Sequence, residues 1–313
     1  MKRIFHYMLM GACALAVLSC SKNESVPQEE NDGEIAFRIS KTGPATKVTE
    51  SGFQIGDEIG LWAVERDGGN KVPLQIGGNY INNEALRLQD ASDHWGGSRT
   101  LYWSANACDF YGVFPYQSDV TSIEAQPFSV RLDQSSAANY TASDLLWACA
   151  ENVSHGQTVN LQFRHLLSKL NVIIVEGDKF EGDIPVDIAL HVYNTTTTGK
   201  VNLQDGSIEK DPFGAKGTIT AKKVSDHLFE AIVVPQFIEK KTPLIEVTMG
   251  GIAYLLEYSI SFRPGYEHTI RLTVNTSPDQ EMIEISIDAD PGAWSSTLEP
   301  WKRNYMLRLK RQL

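Results

Sequence analysis

Apolar residues recur at every second position in short runs along the chain. Ile35, Phe37 and Ile39 alternate with Ala36 and Arg38, and Val159, Leu161 and Phe163 alternate with Asn160 and Gln162. Ile283, Ile285 and Ile287 alternate with Glu284, Ser286 and Asp288. Successive strand side chains point to opposite faces, so this period of two predicts half-buried strands rather than helix faces. Continuous apolar runs such as Val172–Val175 and Ile232–Val234 predict strands covered on both faces or lying in a sandwich core. Turn pairs separate the runs, among them Asp67-Gly68, Gly96-Gly97, Asp205-Gly206, Gly250-Gly251 and Pro264-Gly265. Strands at roughly ten-residue spacing, closed by such turns, predict an all-β sandwich rather than βαβ units. Only the segment from Trp301 fits both periods. Trp301, Tyr305 and Leu309 would share a helix face, while Tyr305, Leu307 and Leu309 would share a strand face.

The first residues read as an export signal. Lys2 and Arg3 precede a short apolar stretch from Met8 to Leu18. That stretch is too short to span a bilayer, which takes roughly 20 residues. Val17, Leu18 and Ser19 lead into Cys20, an order that resembles the bacterial lipobox, where cleavage precedes the Cys and its thiol receives a diacylglycerol. Ser21 to Asp32 is polar and aperiodic, as a flexible tether would be. Acyl chains contributing about 0.8 kcal/mol per buried CH₂ would hold such a protein on a membrane. The segments expected are a signal peptide over 1–19, a tether over 20–33, and sandwiches over 34–165 and 166–313.

Charge narrows the partners. The chain holds 28 Lys and Arg against 39 Asp and Glu, a net −11 that grows more negative once Lys2 and Arg3 are removed. Phosphate backbones are repelled by such a chain, so nucleic acid is excluded as a natural partner. The 313 residues carry 42% hydrophobic side chains, enough for a substantial core and too many for general disorder.

A search for chemistry returns little. The His residues show no metal-ligand spacing, and there is no H-E-x-x-H, Cys-x-x-Cys, phosphate-binding Gly loop or nucleophile elbow. No catalytic residue, metal or cofactor is therefore assigned. Cys108 and Cys149 sit in apolar runs and read as two buried thiols, with a disulfide between them as the alternative in an oxidising compartment. His165 follows Phe163 and reads as a hydrogen-bonded core histidine. Asp288 and Asp290, before Pro291, read as a solvated turn with a calcium loop as the alternative. His94 and Trp95 lie in a polar stretch and are the candidate surface contact, unless the ring simply closes over the sandwich. Asn139, Asn152, Asn194 and Asn275 stand in glycosylation sequons that the lipobox makes incidental.

Longer blocks carry a family resemblance. Thr46-Lys47-Val48-Thr49 is followed by the run from Phe53 to Leu61, by Leu101-Tyr102-Trp103, and by the run from Asp109 to Tyr116. Asp144 to Ala148 and Val159 to Leu170 complete the order. In these blocks the chain resembles the fimbrillin-like proteins of Bacteroidetes, subunits of pili built by donor-strand exchange. The resemblance implies two tandem transthyretin-like Greek-key β-sandwiches. It implies a first strand, plugged in by Ile35, Phe37 and Ile39, that a surface protease releases by cutting after Lys47. Lys stands there where Arg is commoner in the family. It also implies a donor strand from another subunit, for which Ile283, Ile285 and Ile287 form the best pattern, with Trp294 seated beyond them. The segment from Trp301, with Lys302, Arg303, Arg308, Lys310 and Arg311, is not typical of the family. It reads as an added donor strand, a docking element for the acidic remainder, or a frayed tail.

The partners expected are other fimbrial subunits, a processing protease, the outer membrane through Cys20, and a host or bacterial surface ligand. Two other readings compete: a surface glycan-binding lipoprotein, with Trp95 and Tyr102 as stacking residues, and a tethered hydrolase using paired carboxylates.

Overall fold

The computed structural model describes residues 33–42, 52–178, 180–275, 284–294 and 305–308. In chain order the strands are β1 (Phe37–Lys41), β2 (Glu58–Glu65), β3 (Ile81–Leu88), β4 (Trp95–Gly96), β5 (Cys108–Phe114), β6 (Gln126–Ser129), β7 (Leu146–Val153) and β8 (Val159–His165). They continue as β9 (Ser168–Glu176), β10 (Ala189–Thr196), β11 (Thr198–Val201), β12 (Ile208–Lys210), β13 (Lys216–Thr220), β14 (Lys222–Ser225) and β15 (Leu228–Val233). The last are β16 (Gln236–Ile238), β17 (Pro243–Met249), β18 (Ile252–Glu257), β19 (Ile260–Phe262), β20 (Tyr266–Val274), β21 (Glu284–Ala293) and β22 (Tyr305–Arg308). The one helix among the described residues is α1 (Ala137–Ala142), started by the Ser136 hydroxyl, which accepts from the Asn139 amide. The fold is all-β, as the period of two predicts.

The first seven-stranded sheet has the order β1-β8-β7-β5-β2-β3-β4. Its middle strands are buried on both faces, which is why β2 and β5 read as nearly continuous apolar runs. Ile59, Leu61, Ala63, Phe110 and Phe114 face one core, together with Ile35, Ile39, Val159, Leu161 and Phe163. Trp62, Val64, Tyr111 and Val113 face the other. Curvature brings β8 over β5, so that a Cβ added to Gly112 would lie 2.6 Å from Cζ of Phe163. Only a residue without a side chain fits beneath that ring.

The rest of the chain forms a six-stranded sheet, β14-β15-β9-β20-β21-β22, and a four-stranded sheet, β13-β10-β17-β18. Leu170, Val172, Phe229, Ile270 and Leu272 from the former share a core with Leu190, Val192, Ile245, Val247 and Leu256 from the latter. The sheets change between His165 and Ser168. The apolar core does not divide there, because Trp62, Tyr111 and Val113 belong to the same cluster as Leu170 and Val172. β6 also crosses over, pairing with β11 in a three-stranded sheet.

Two local expectations are corrected. Asp288 and Asp290 lie within β21, opposite Arg271 and Thr269, so neither a turn nor a calcium loop precedes Pro291. The nine-residue template of β20 carries the ladder through to Ala293. Of the two thiols, both free, Cys108 is buried but Cys149 is only half-buried. Burial pushes Cys108 up to about 11 and Cys149 to about 12, which keeps both unreactive at neutral pH.

Two outcomes follow. Gly112→Val should cost about 1–3 kcal/mol of stability by urea unfolding, since Phe163 is fully buried and has nowhere to go. His268, buried on β20, accepts the Arg263 amide at 3.2 Å, and burial, helped by the Arg263 cation, lowers its pKa from 6.5 to about 4. The unfolded chain takes up that proton first, so stability is full above pH 6.5 and falls as the pH drops toward 4. His268→Gln should flatten that slope in urea midpoints measured across the same window.

Candidate functional site

β1 lies at the edge of the first sheet, in parallel register with β8: Phe37 opposite Val159, Ile39 opposite Leu161, Lys41 opposite Phe163. Its flanks are tied as well. The Val159 amide donates to the Ala36 carbonyl at 2.8 Å, and the Thr42 amide and hydroxyl donate to the Phe163 carbonyl at 2.6 and 3.0 Å. Ahead of β1 the chain pairs on its other side, Ile35 N–H donating to Leu101 and Trp103 N–H donating to Gly33.

The side chains alternate as the sequence predicts. Ile35 and Ile39 are buried and Phe37 is half-buried, while Ala36, Arg38 and Ser40 face solvent. Phe37 meets Phe110 edge to face at 6.2 Å, and Trp103 meets the same ring at 5.7 Å. At the far end Phe53 packs edge to face on Trp95, Phe114 and Phe163, at 5.1, 5.4 and 5.4 Å. The Lys41 ammonium caps this cluster, 4.6 Å from the Phe53 centroid and 5.2 Å from that of Phe114. β1 and the residues just ahead of it therefore fill an apolar slot with three plugs and a cation. Two full burials and one partial amount to roughly 5 kcal/mol of gross burial free energy.

The expected residues are only partly gathered here. Ile35, Phe37 and Ile39 meet in the slot, and Cys20, Lys47 and Ile283 lie outside the described residues. Ile285 and Ile287 sit in β21, which is paired on one side to β20 and on the other to β22. A strand with both ladders made is poorly placed to leave, and the terminal edge belongs to β22. Trp294, beyond β21, stacks on His165 at 4.0 Å and 4°, and the imidazole Nδ1 lies 2.8 Å from Asp144 Oδ1. Among the described residues no Ser, Thr or Cys is hydrogen-bonded to that ring. Nor do the described residues gather three metal-ligating side chains.

The surface contact is corrected as well. His94 is exposed, its Nδ1 3.7 Å from an Asp90 carboxylate oxygen, but Trp95 is 8% exposed because its ring completes the Phe53 cluster. Phe53, Lys41 and Gly112 were not marked as site residues by sequence patterning. Phe53 opens one of the family-like blocks, but its place in the site becomes clear only from its three ring contacts.

The family of sequences described as fimbrillin-like matches residues 46–301. The chain belongs to the fimbrillin-like family. Both β1 and β22 lie just outside the matched span. No curated protein matches the chain significantly in sequence. Among solved structures, a Bacteroides ovatus protein assigned to cell adhesion is similar, with a TM-score of 0.65 at 14% identity over 85% of this chain and 99% of that one. A Bacteroides uniformis protein with the same assignment gives 0.62 at 18% identity over 84% and 99%. A fimbrial protein from Bacteroides vulgatus gives 0.51 at 14% identity over 83% and 99%. At these identities the likeness establishes the fold. Family membership supports a fimbrial, cell-surface role, and neither the family nor these structures are described as enzymes.

Ile39→Ala should cost about 2–5 kcal/mol if the slot is a packed core. Hydrogen exchange should then rise along β1 and β8 while β17 and β18 stay protected.

Proposed function

We propose that the protein is a fimbrial subunit, exported as a lipoprotein through Cys20 and assembled at the cell surface by donor-strand exchange. One observation carries the reading: β1 fills a core with alternating plugs, yet joins the following strand through the segment that holds Lys47. A surface protease cutting after Lys47 would leave β1 bound only by its side chains and hydrogen bonds. Its departure would expose the Phe53, Phe110, Phe114 and Phe163 rings and the unpaired edge of β8. An incoming strand would restore both, main-chain bonds giving strength and alternate side chains giving register.

The donor in this reading is the β22 segment rather than Ile283–Ile287, since β22 breaks one ladder on leaving and β21 breaks two. A cut subunit sheds its lipid and joins the shaft or tip of the fimbrium. An uncut one keeps Cys20 in the outer membrane as an anchor. The burial of Trp95 removes a stacking residue from the glycan-binding alternative.

The test is to nick the full chain after Lys47 and follow it by size-exclusion chromatography at rising concentration. Oligomers that grow with concentration, and that Leu307→Asp prevents, are the expected result. A nicked chain that stays monomeric at all concentrations would overturn strand exchange.

A further inference from the structure

Away from the slot, a charged cluster lies buried in the six-stranded sheet. Lys169 and Asn171 on β9, Glu230 on β15, and Glu267 and Thr269 on β20 stand on the face turned away from Leu170, Val172, Phe229 and Ile270. All five are at most 9% exposed. The Lys169 ammonium lies 3.0 Å from Glu230 Oε1. Glu230 Oε2 has no hydrogen-bond partner among the described residues and faces the Lys222 ammonium at 3.9 Å, a cation held over the Tyr140 ring at 4.5 Å. Glu267 stands opposite Lys169 in the parallel ladder, and Asn171 Nδ2 donates to its Oε1. An amine and a carboxyl are thus held at reacting distance in a buried site, with a second carboxyl beside the amine and a second cation beside the carboxyl.

We propose that Lys169 and Glu230 join in an amide bond, a covalent tie between β9 and β15 within one subunit. The Lys169 ammonium passes a proton to Glu230 Oε1, and the neutral amine attacks Cδ of the acid. In the tetrahedral adduct the negative charge gathers on Oε2, where the Lys222 cation offsets it. Glu267 takes the second proton from Nζ and returns it to the hydroxyl, the Cδ–Oε1 bond breaks, and water leaves. One N–C bond replaces one C–O bond, nothing is oxidised or reduced, and no co-reactant is consumed. A buried ion pair keeps two charges out of water and the amide keeps none, so the product suits the site better than the reactants. The bond closes a loop that contains β10 to β14. Force separating β9 from β15 would then load covalent bonds rather than the ladder, and the strands inside the loop could not be drawn out straight. Such a lock suits a subunit under tension at a cell surface, whether or not strands are exchanged between copies.

The test is the mass of the full chain, purified folded and then denatured. The expected mass is that of the sequence less one water. Lysyl endopeptidase should fail to cut after Lys169 and should release one peptide in which Lys169 is joined to Glu230. Lys169→Arg and Glu230→Ala should each restore the full mass. Glu267→Gln should slow the reaction, so that full and reduced masses appear together in freshly folded protein. A full sequence mass with ordinary cleavage after Lys169 would overturn the bond. A lost water that fragmentation places elsewhere, at an aspartate for example, would overturn it as well. A Glu267→Gln chain joined as completely as the parent would overturn the proton transfer given to Glu267.

Discussion

The Phe163 ring lies on Gly112, and the separation this sets between β8 and β5 defines the slot in which β1 lies. A larger residue at 112 would lift β8 away, and with it the edge on which β1 is templated. The rings of Phe53, Phe110, Phe114, Trp95 and Trp103 build outward from that contact, each edge to face with a neighbour. Such geometry directs ring edges at ring faces. The slot suits an extended strand with alternating side chains.

Much of this was legible from periodicity. The alternation at Val159–Phe163 returns as strict burial and exposure along β8, and that at Ile35–Ile39 returns in β1. What periodicity does not carry is partnership. Nothing local to Leu101–Trp103 says that it flanks β1, and nothing local to Gln126–Ser129 says that it pairs with β11 across the expected boundary. Asp288 to Pro291 has turn composition but strand structure, because β20 supplies a template that outweighs local preference. Trp95 stood in a polar stretch and is buried all the same, through a two-residue pairing of β4 with β3 too short to show as a pattern.

The two cores explain why the chain resists division into independent halves. The first sheet uses both faces: one encloses the slot, and the other, through Trp62, Tyr111 and Val113, joins the apolar cluster of the later sheets. Loss of β1 would expose one face while the other remained packed. Under the proposed strand exchange, an acceptor would have to hold its shape while its strand is replaced, and a sheet backed in this way could do so.

Trp294 lies flat against His165, itself held by Asp144, and its amide is bound to the Gly265 carbonyl at 3.1 Å. Everything between it and Tyr305 starts from that fixed point. Eleven residue steps reach at most roughly 36–40 Å when fully extended. In the proposed strand exchange, a strand leaving for a neighbour's slot could travel no farther, and this stack would set an upper limit on the distance from one subunit's Trp294 to the neighbour's slot. The repeat of any fibre built from this chain would be bounded by a histidine, a tryptophan and the length of chain between Trp294 and Tyr305.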